Sequence, residues 1–302
     1  MKPLPNWMLL LATGACLGAG MPLARVAYAH GVAPLSFALW PTLFAGIALA
    51  SIAYWRNGMP RSREQRGQLA RFGIIAGLLG QALPLTATYQ LSVQAGAGFS
   101  ALAYTLPPVF TLLIGLLAGL ERWQTRRAAA VLLGLAGAGL LTLARFQIGD
   151  VSPATLLLIF AIPAFVGAGN VYRAMHLPRA AANEWLGAAM LLGSAAVLLP
   201  VDLVAGHGIV FITFLGWACV ALQMLIQIGG YLLYFALQRR AEPVTFSFLG
   251  YAMTLTGVLA GAILFGERLP WQIAPAVFLI ALGFALVLRS RTIPASAHQR
   301  AS

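Results

Sequence analysis

Of 302 residues, 60% are hydrophobic and only 9% charged. A water-facing surface needs roughly 25% charged residues, so a soluble domain is excluded and a polytopic membrane protein is implied. The net charge of +12 does not point to nucleic acid, because the basic residues fall between apolar runs, where they set orientation.

The first apolar run, from Trp7, has the charged start of a signal peptide in Lys2 and small residues at Ala15-Cys16. It continues past that point to Ala29, which reads as a retained first span rather than a cleaved leader. Runs of about 20 apolar residues, the length that crosses roughly 30 Å of hydrocarbon as a helix, then follow one another along the chain. The first half gives spans at 7–29, 33–55, 72–93, 97–120 and 127–145. The second half gives 153–176, 184–204, 211–237, 244–265 and 271–289. Loops are short, the longest being the arginine-rich one between the second and third spans. The two cysteines, Cys16 and Cys219, both lie inside apolar runs and make neither a disulfide framework nor a thiolate metal site.

The halves echo each other. Phe99-Ser100, Leu102 and Tyr104 return as Phe246-Ser247, Leu249 and Tyr251, and Gly119-Leu120-Glu121-Arg122 returns as Gly266-Glu267-Arg268. Gly18-Ala19-Gly20 with Arg25 parallels Gly167-Ala168-Gly169 with Arg173, Gln81 parallels Gln227, and Gly137 parallels Gly283. Five spans per half is an odd number, so homologous halves must cross the bilayer in opposite senses. The expected architecture is an all-α membrane protein of ten transmembrane helices arranged as two inverted five-helix repeats. These occupy residues 1–148 and 149–291, with a disordered cytoplasmic tail at 292–302. With the N-terminus inside, 16 of the 19 Arg and Lys residues, Arg173 among them, fall on one side and only Arg25, Arg145 and Arg268 on the other. That bias puts both termini in the cytoplasm of a multi-pass protein of the cell (inner) membrane.

Ten spans in two halves, Pro108-Val109, Glu121-Arg122 and Gly266-Glu267-Arg268 together resemble the EamA-type members of the drug/metabolite transporter superfamily. The resemblance covers nearly the whole chain and implies a secondary transporter with a central cavity between the halves. Thr254-Leu255 stand where that family has a proline in the ninth helix.

Polar residues inside spans are costly unless they face a cavity or a partner helix. In the fourth span Ser100, Tyr104, Pro108 and Thr111 share a helical face, and in the eighth Gln223, Gln227, Tyr231 and Tyr234 do so. Ser247, Tyr251 and Thr254 mark the ninth, Gln81 and Thr88 the third, and Asn170 the sixth. These stripes read either as interhelical glue or as the walls of a substrate path. Candidate substrate-binding residues are Gln81, Thr88, Ser100, Tyr104, Asn170, Gln223, Gln227, Tyr231 and Tyr251. Arg25, on the side where positive charge is disfavoured, joins them as an anion receiver or else snorkels to the headgroups. Pro107 and Pro108 are candidates for gating, since a proline pair frees carbonyls and permits a bend. The acidic residues Glu64, Glu121, Asp150, Glu184, Asp202, Glu242 and Glu267 all map to loops or helix ends.

No catalytic cluster, metal-ligand pattern or nucleotide-binding loop is present in the sequence, so neither an enzyme nor a cofactor is expected. The expected function is export of small polar metabolites such as amino acids by alternating access, down a gradient or by exchange. Drug-like or nucleotide-linked cargo is the alternative, and an integral membrane enzyme a more remote one. Expected partners are a small-molecule substrate and the lipid bilayer, with no nucleic acid, in a monomer or homodimer.

Overall fold

A computed structural model describes residues 5–120, 153–206 and 213–267, together with positions 124, 125, 128, 129, 131–133, 135–137, 140, 275, 278, 279, 282 and 286. The fifth and tenth expected spans, apart from those scattered positions, lie outside the described residues, as do Glu121, Arg122, Arg268 and the tail at 292–302. Among the described residues all regular structure is helical. Eight stretches are long and apolar enough to cross a membrane: Asn6–Ala29, Pro34–Asn57, Arg63–Ala95, Ala97–Leu117, Leu157–His176, Asn183–Val204, Phe214–Gln238 and Pro243–Phe265.

Several of these stretches are not single helices. The first comprises α1 (Asn6–Gly18) and α2 (Gly20–Ala29), and the second is α3 (Pro34–Asn57). The third begins as α4 (Arg63–Gly77), passes through one π-helical turn at Leu78–Ala82 and continues as α5 (Leu83–Ala95). The fourth is broken into α6 (Ala97–Leu102), a 3-10 turn at Ala103–Thr105 and α7 (Pro107–Leu117). Then come α8 (Pro153–His176), α9 (Asn183–Val204) and α10 (Phe214–Gln238). The last described stretch is broken again, into α11 (Pro243–Ser247) and α12 (Leu249–Phe265).

The arginine-rich loop is shorter than expected. Ser62 accepts a hydrogen bond from the Gln65 N–H and Gln65 reaches back to the Ser62 N–H, a capping box that starts the helix at Arg63. Arg63, Arg66 and Arg71 therefore stand on the extended base of α4.

Helices from the two halves of the chain pack against each other rather than side by side in separate bundles. α9 lies along α3 and α4, α1 contacts α10 and α12, and α8 contacts α5 and α7. The α4–α9 contact is made by small residues four apart, Gly73 and Gly77 against Ala189 and Gly193. Added to Gly193, a Cβ would lie 2.2 Å from the Gly73 carbonyl oxygen, and added to Gly77, 2.5 Å from that of Met190. In lipid, where no hydrophobic effect drives helices together, such close backbone approach supplies the van der Waals contact that holds them.

Among the described residues two ion pairs tie the halves at separate places. Arg56, at the end of α3, meets Glu184 at the start of α9 at 3.2 Å. Arg25, near the end of α2, meets Glu267 at 2.8 Å and lies over the Phe265 ring. Gly266 takes a left-handed φ of 61°, which ends α12 and turns Glu267 back over the bundle. There its carboxylate accepts the N–H groups of Ala97 (3.1 Å) and Gly98 (3.2 Å), the free donors at the start of α6. Gly119, the matching glycine of the first half, also has a left-handed φ, 69°. The glycine shared by the two motifs is thus a helix stop that a Cβ would strain.

Gly193→Val is expected to lower the unfolding midpoint of detergent-solubilised protein, by about 1–3 kcal/mol from overpacking, whereas an unchanged midpoint would contradict the α4–α9 contact. Arg25→Ala is expected to cost only about 1 kcal/mol, the value of one partly exposed ion pair and its ring contact. A chemical denaturation series in detergent separates the two variants.

Candidate functional site

Where the helices of both halves converge, a cavity of about 70 Å³ remains. On that measure a water needs roughly 10–15 Å³, so the space suits a few waters or one small solute. Its walls come from Leu17 on α1, Gln81 in the π turn, Tyr89 on α5, Asn170 on α8, Gln223 and Gln227 on α10, and Met253 on α12. The breaks in the two interrupted stretches also face it, through Tyr104 and Pro107 in one and Phe246, Ser247 and Gly250 in the other.

Hydrogen bonds across the cavity join α10 to the first half of the chain. Gln223 donates to the Tyr89 hydroxyl at 2.8 Å, and Gln227 donates to the Thr42 hydroxyl at 3.1 Å. The Tyr231 hydroxyl donates to the Gln81 side-chain oxygen. Gly20 leaves room for the first of these, since a Cβ there would lie 2.7 Å from the Tyr89 hydroxyl. Each glutamine is satisfied at one end only. The side-chain oxygens of Gln223 and Gln227 are buried with no hydrogen-bond partner among the described residues. Turning either amide over would merely exchange the free acceptor for a free donor. Two unsatisfied amides facing one space cost free energy in a dry interface and are relieved by water or a polar ligand.

The expected site residues divide. Gln81, Tyr104, Asn170, Gln223, Gln227, Tyr231 and Pro107 line the cavity. Thr88 stands behind the wall, donating to the Pro84 carbonyl (2.6 Å) and hydrogen-bonded to the Tyr104 hydroxyl (3.2 Å). Ser100 is fully buried and donates to the Ala97 carbonyl at 2.9 Å. Pro108 is buried in α7 next to Pro107. Tyr251 packs edge-on against Phe248 at 4.9 Å, and its buried hydroxyl has no hydrogen-bond partner among the described residues. Arg25 is away from the cavity, on Glu267.

The expected single face through Ser100, Tyr104, Pro108 and Thr111 does not form, because the chain leaves α-helical geometry at Ala103–Thr105 and resumes at Pro107. The second interrupted stretch bends without a proline. Its break is at Phe248, not at Thr254-Leu255, and Gly250 brings it against the Tyr104 carbonyl, 2.0 Å from where a Cβ would stand.

Sequence reasoning missed three things. Tyr89 and Tyr234 line the cavity as well, the first unremarked and the second noted only as part of the α10 stripe. Arg173, expected at the cytoplasmic end of the sixth span, is 1% exposed. α8 runs on to His176, and helical side chains lean toward their own N-terminus, which carries the guanidinium back one turn to Asn170. The signal was present in the spacing, an arginine three residues after an asparagine in an apolar run. Asp202 is in the last turn of α9, as expected of a helix end, but it is fully buried and accepts a hydrogen bond from Ser36 at 2.7 Å.

The comparisons with known proteins bear on the fold and the family. No curated protein matches the chain. A solved structure, described only as a crystal structure of a protein, is 20% identical and aligns with 91% of this chain and 96% of its own at a TM-score of 0.64. At that identity the likeness concerns the fold alone, and it extends over both halves. Residues 6–143 match the model of the EamA-like transporter family. That segment carries α1, the π turn at Gln81, α5 and the break at Tyr104 and Pro107, all of which face the cavity. Over residues 6–143 the chain is similar to the EamA-like transporter family, and its long apolar helical stretches are those of a multi-pass membrane protein.

Proposed function

We propose that this protein is a transporter that exports small polar metabolites, amino acids among them, across the inner or plasma membrane by alternating access. The moving parts are the two five-helix halves, 1–148 and 149–291, inverted with respect to each other and with both termini in the cytoplasm. The observation that carries the reading is the cavity between helices of both halves, with a free amide end on Gln223 and on Gln227. Its size favours a small solute, and its amide and phenol groups favour a polar one.

The paired breaks support the mechanism. Interrupted helices that meet at the centre of a membrane protein are tolerated where they line a cavity, and here Tyr104 and Gly250 come together at the breaks. Pro107 and Pro108 fix the start of α7, which makes the turn at 103–106 a hinge about which that helix can swing. Arg56–Glu184 and Arg25–Glu267 are then contacts between halves that open and close in the cycle. Among the described residues no carboxylate lines the cavity, which favours movement down a gradient or by exchange over proton coupling.

Protein reconstituted in liposomes is expected to move labelled amino acids without ATP, and Gln227→Ala and Tyr104→Ala should each slow uptake about tenfold, the worth of one lost hydrogen bond to solute. Failure to move any solute of a broad metabolite panel, with the protein folded, overturns the reading. Pro108→Ala is expected to lower turnover while leaving the half-saturating concentration unchanged, and a change confined to that concentration would remove the proline from the gate.

A further inference from the structure

Arg173 is a charged side chain without a charged partner among the described residues. It is 1% exposed, and a guanidinium remains protonated even in protein interiors. One nitrogen, Nη2, donates to the Asn170 side-chain oxygen at 2.6 Å. The guanidinium lies over the Tyr234 ring, 5.3 Å from its centre, and interacts with the Tyr234 hydroxyl. Nε and Nη1, which carry three of the five N–H donors, have no hydrogen-bond partner among the described residues. Among the described residues no ion pair reaches Arg173: Glu184 pairs with Arg56, Glu267 with Arg25, and Asp202 accepts from Ser36.

The surroundings are shaped to hold this charge beside the cavity. Asn170 is itself fixed by donating to the Thr111 hydroxyl at 3.1 Å. Nη1 rests against Gly80 and Gly169, where added Cβ atoms would lie 2.0 and 3.0 Å from it. Gly80, Asn170 and Tyr234 all line the cavity, so the guanidinium stands directly behind three wall residues, and at Gly80 the wall is backbone alone. Gly80 belongs to the π turn, a local distortion of the kind that recurs at functional sites. A neutral ligand leaves the charge uncompensated, whereas an anion supplies the missing partner through charge-assisted hydrogen bonds.

We propose that Arg173 is the anion-recognising residue of the transport site and that the substrate is a small organic anion presenting a carboxylate or a phosphate group toward Gly80 and Asn170. The free amides of Gln223 and Gln227 bind its other polar groups. The proposal rests on the transporter reading given above and narrows its cargo.

The test is ligand-induced thermal stabilisation of the purified chain. The panel consists of monocarboxylates, dicarboxylates and amino acids, of the primary amides of the same mono- and dicarboxylates, and of phosphate esters. Carboxylates are expected to raise the midpoint while their amides do not, and Arg173→Gln should weaken the best carboxylate about tenfold or more, with Arg173→Lys intermediate. If phosphate esters alone stabilise the protein, and do so only with Arg173 present, the anion site stands with a phosphoryl group as its ligand. Gly80→Ala, which pushes the guanidinium aside while retaining its charge, should weaken the same ligand, and it decides the matter if Arg173→Gln does not fold. Equal stabilisation by amides and carboxylates, no stabilisation by any anion, or undiminished anion binding in the folded variants overturns the proposal. Liposomes that move neutral solutes with Arg173→Gln unimpaired would sink the anion site and leave the transporter reading standing. Movement of no solute at all would sink both.

Discussion

A polar group buried in a membrane protein has only other protein groups, trapped water or a ligand to bond with, and this requirement organises the described structure. The hydrogen bonds Gln223–Tyr89, Gln227–Thr42 and Tyr231–Gln81 each run from α10 to an element of the first half. They are the interhelical glue that such residues provide in lipid. They are also incomplete, with the Gln223 and Gln227 side-chain oxygens left without a partner among the described residues. On the proposed reading, glue and substrate contact are two ends of the same side chains.

The cavity exists because the helices around it are irregular in particular ways. A π turn places Gln81 and Gly80 at its wall, and two interrupted stretches contribute their breaks rather than their faces. Tight packing at Gly73, Gly77 and Gly193 lies away from it, between α4 and α9. Rigid small-residue contact in one place and broken helices in another is a division suited to bodies that move as units about a few turns.

Much of this was legible in the apolar runs. The expected 153–176 span coincides with α8, and the runs at 33–55, 184–204 and 244–265 agree with helices to within two residues, because hydrophobic length is set directly by bilayer thickness. Seven of the twelve expected substrate-binding and gating residues line the cavity. What periodicity could not supply was the interruption of its own period. A stripe drawn at 3.6 residues per turn across Ala103–Thr105 joins Ser100 to Thr111 although the two belong to different helices. Partners were equally hidden: Arg25 and Glu267 are 242 residues apart, and nothing local announces their meeting. The burial of Arg173 was not legible because charge counting reads only where a residue's backbone ends, whereas its side chain leans back along α8 to Asn170.

If the proposed alternating-access cycle holds, the buried arginine also bears on how the membrane potential acts on it. A positive charge that stays in place while access alternates need not travel for the field to work on it; the field drop shifts past it instead. Opened to the cytoplasm, Arg173 would sit close to the cytoplasmic potential, and opened outward, close to the external one. A full elementary charge across 100 mV is worth about 2.3 kcal/mol, so a negative cell interior would hold the empty carrier facing inward. A monovalent anion bound at Arg173, as proposed, would cancel that charge and let the loaded form turn outward without working against the field.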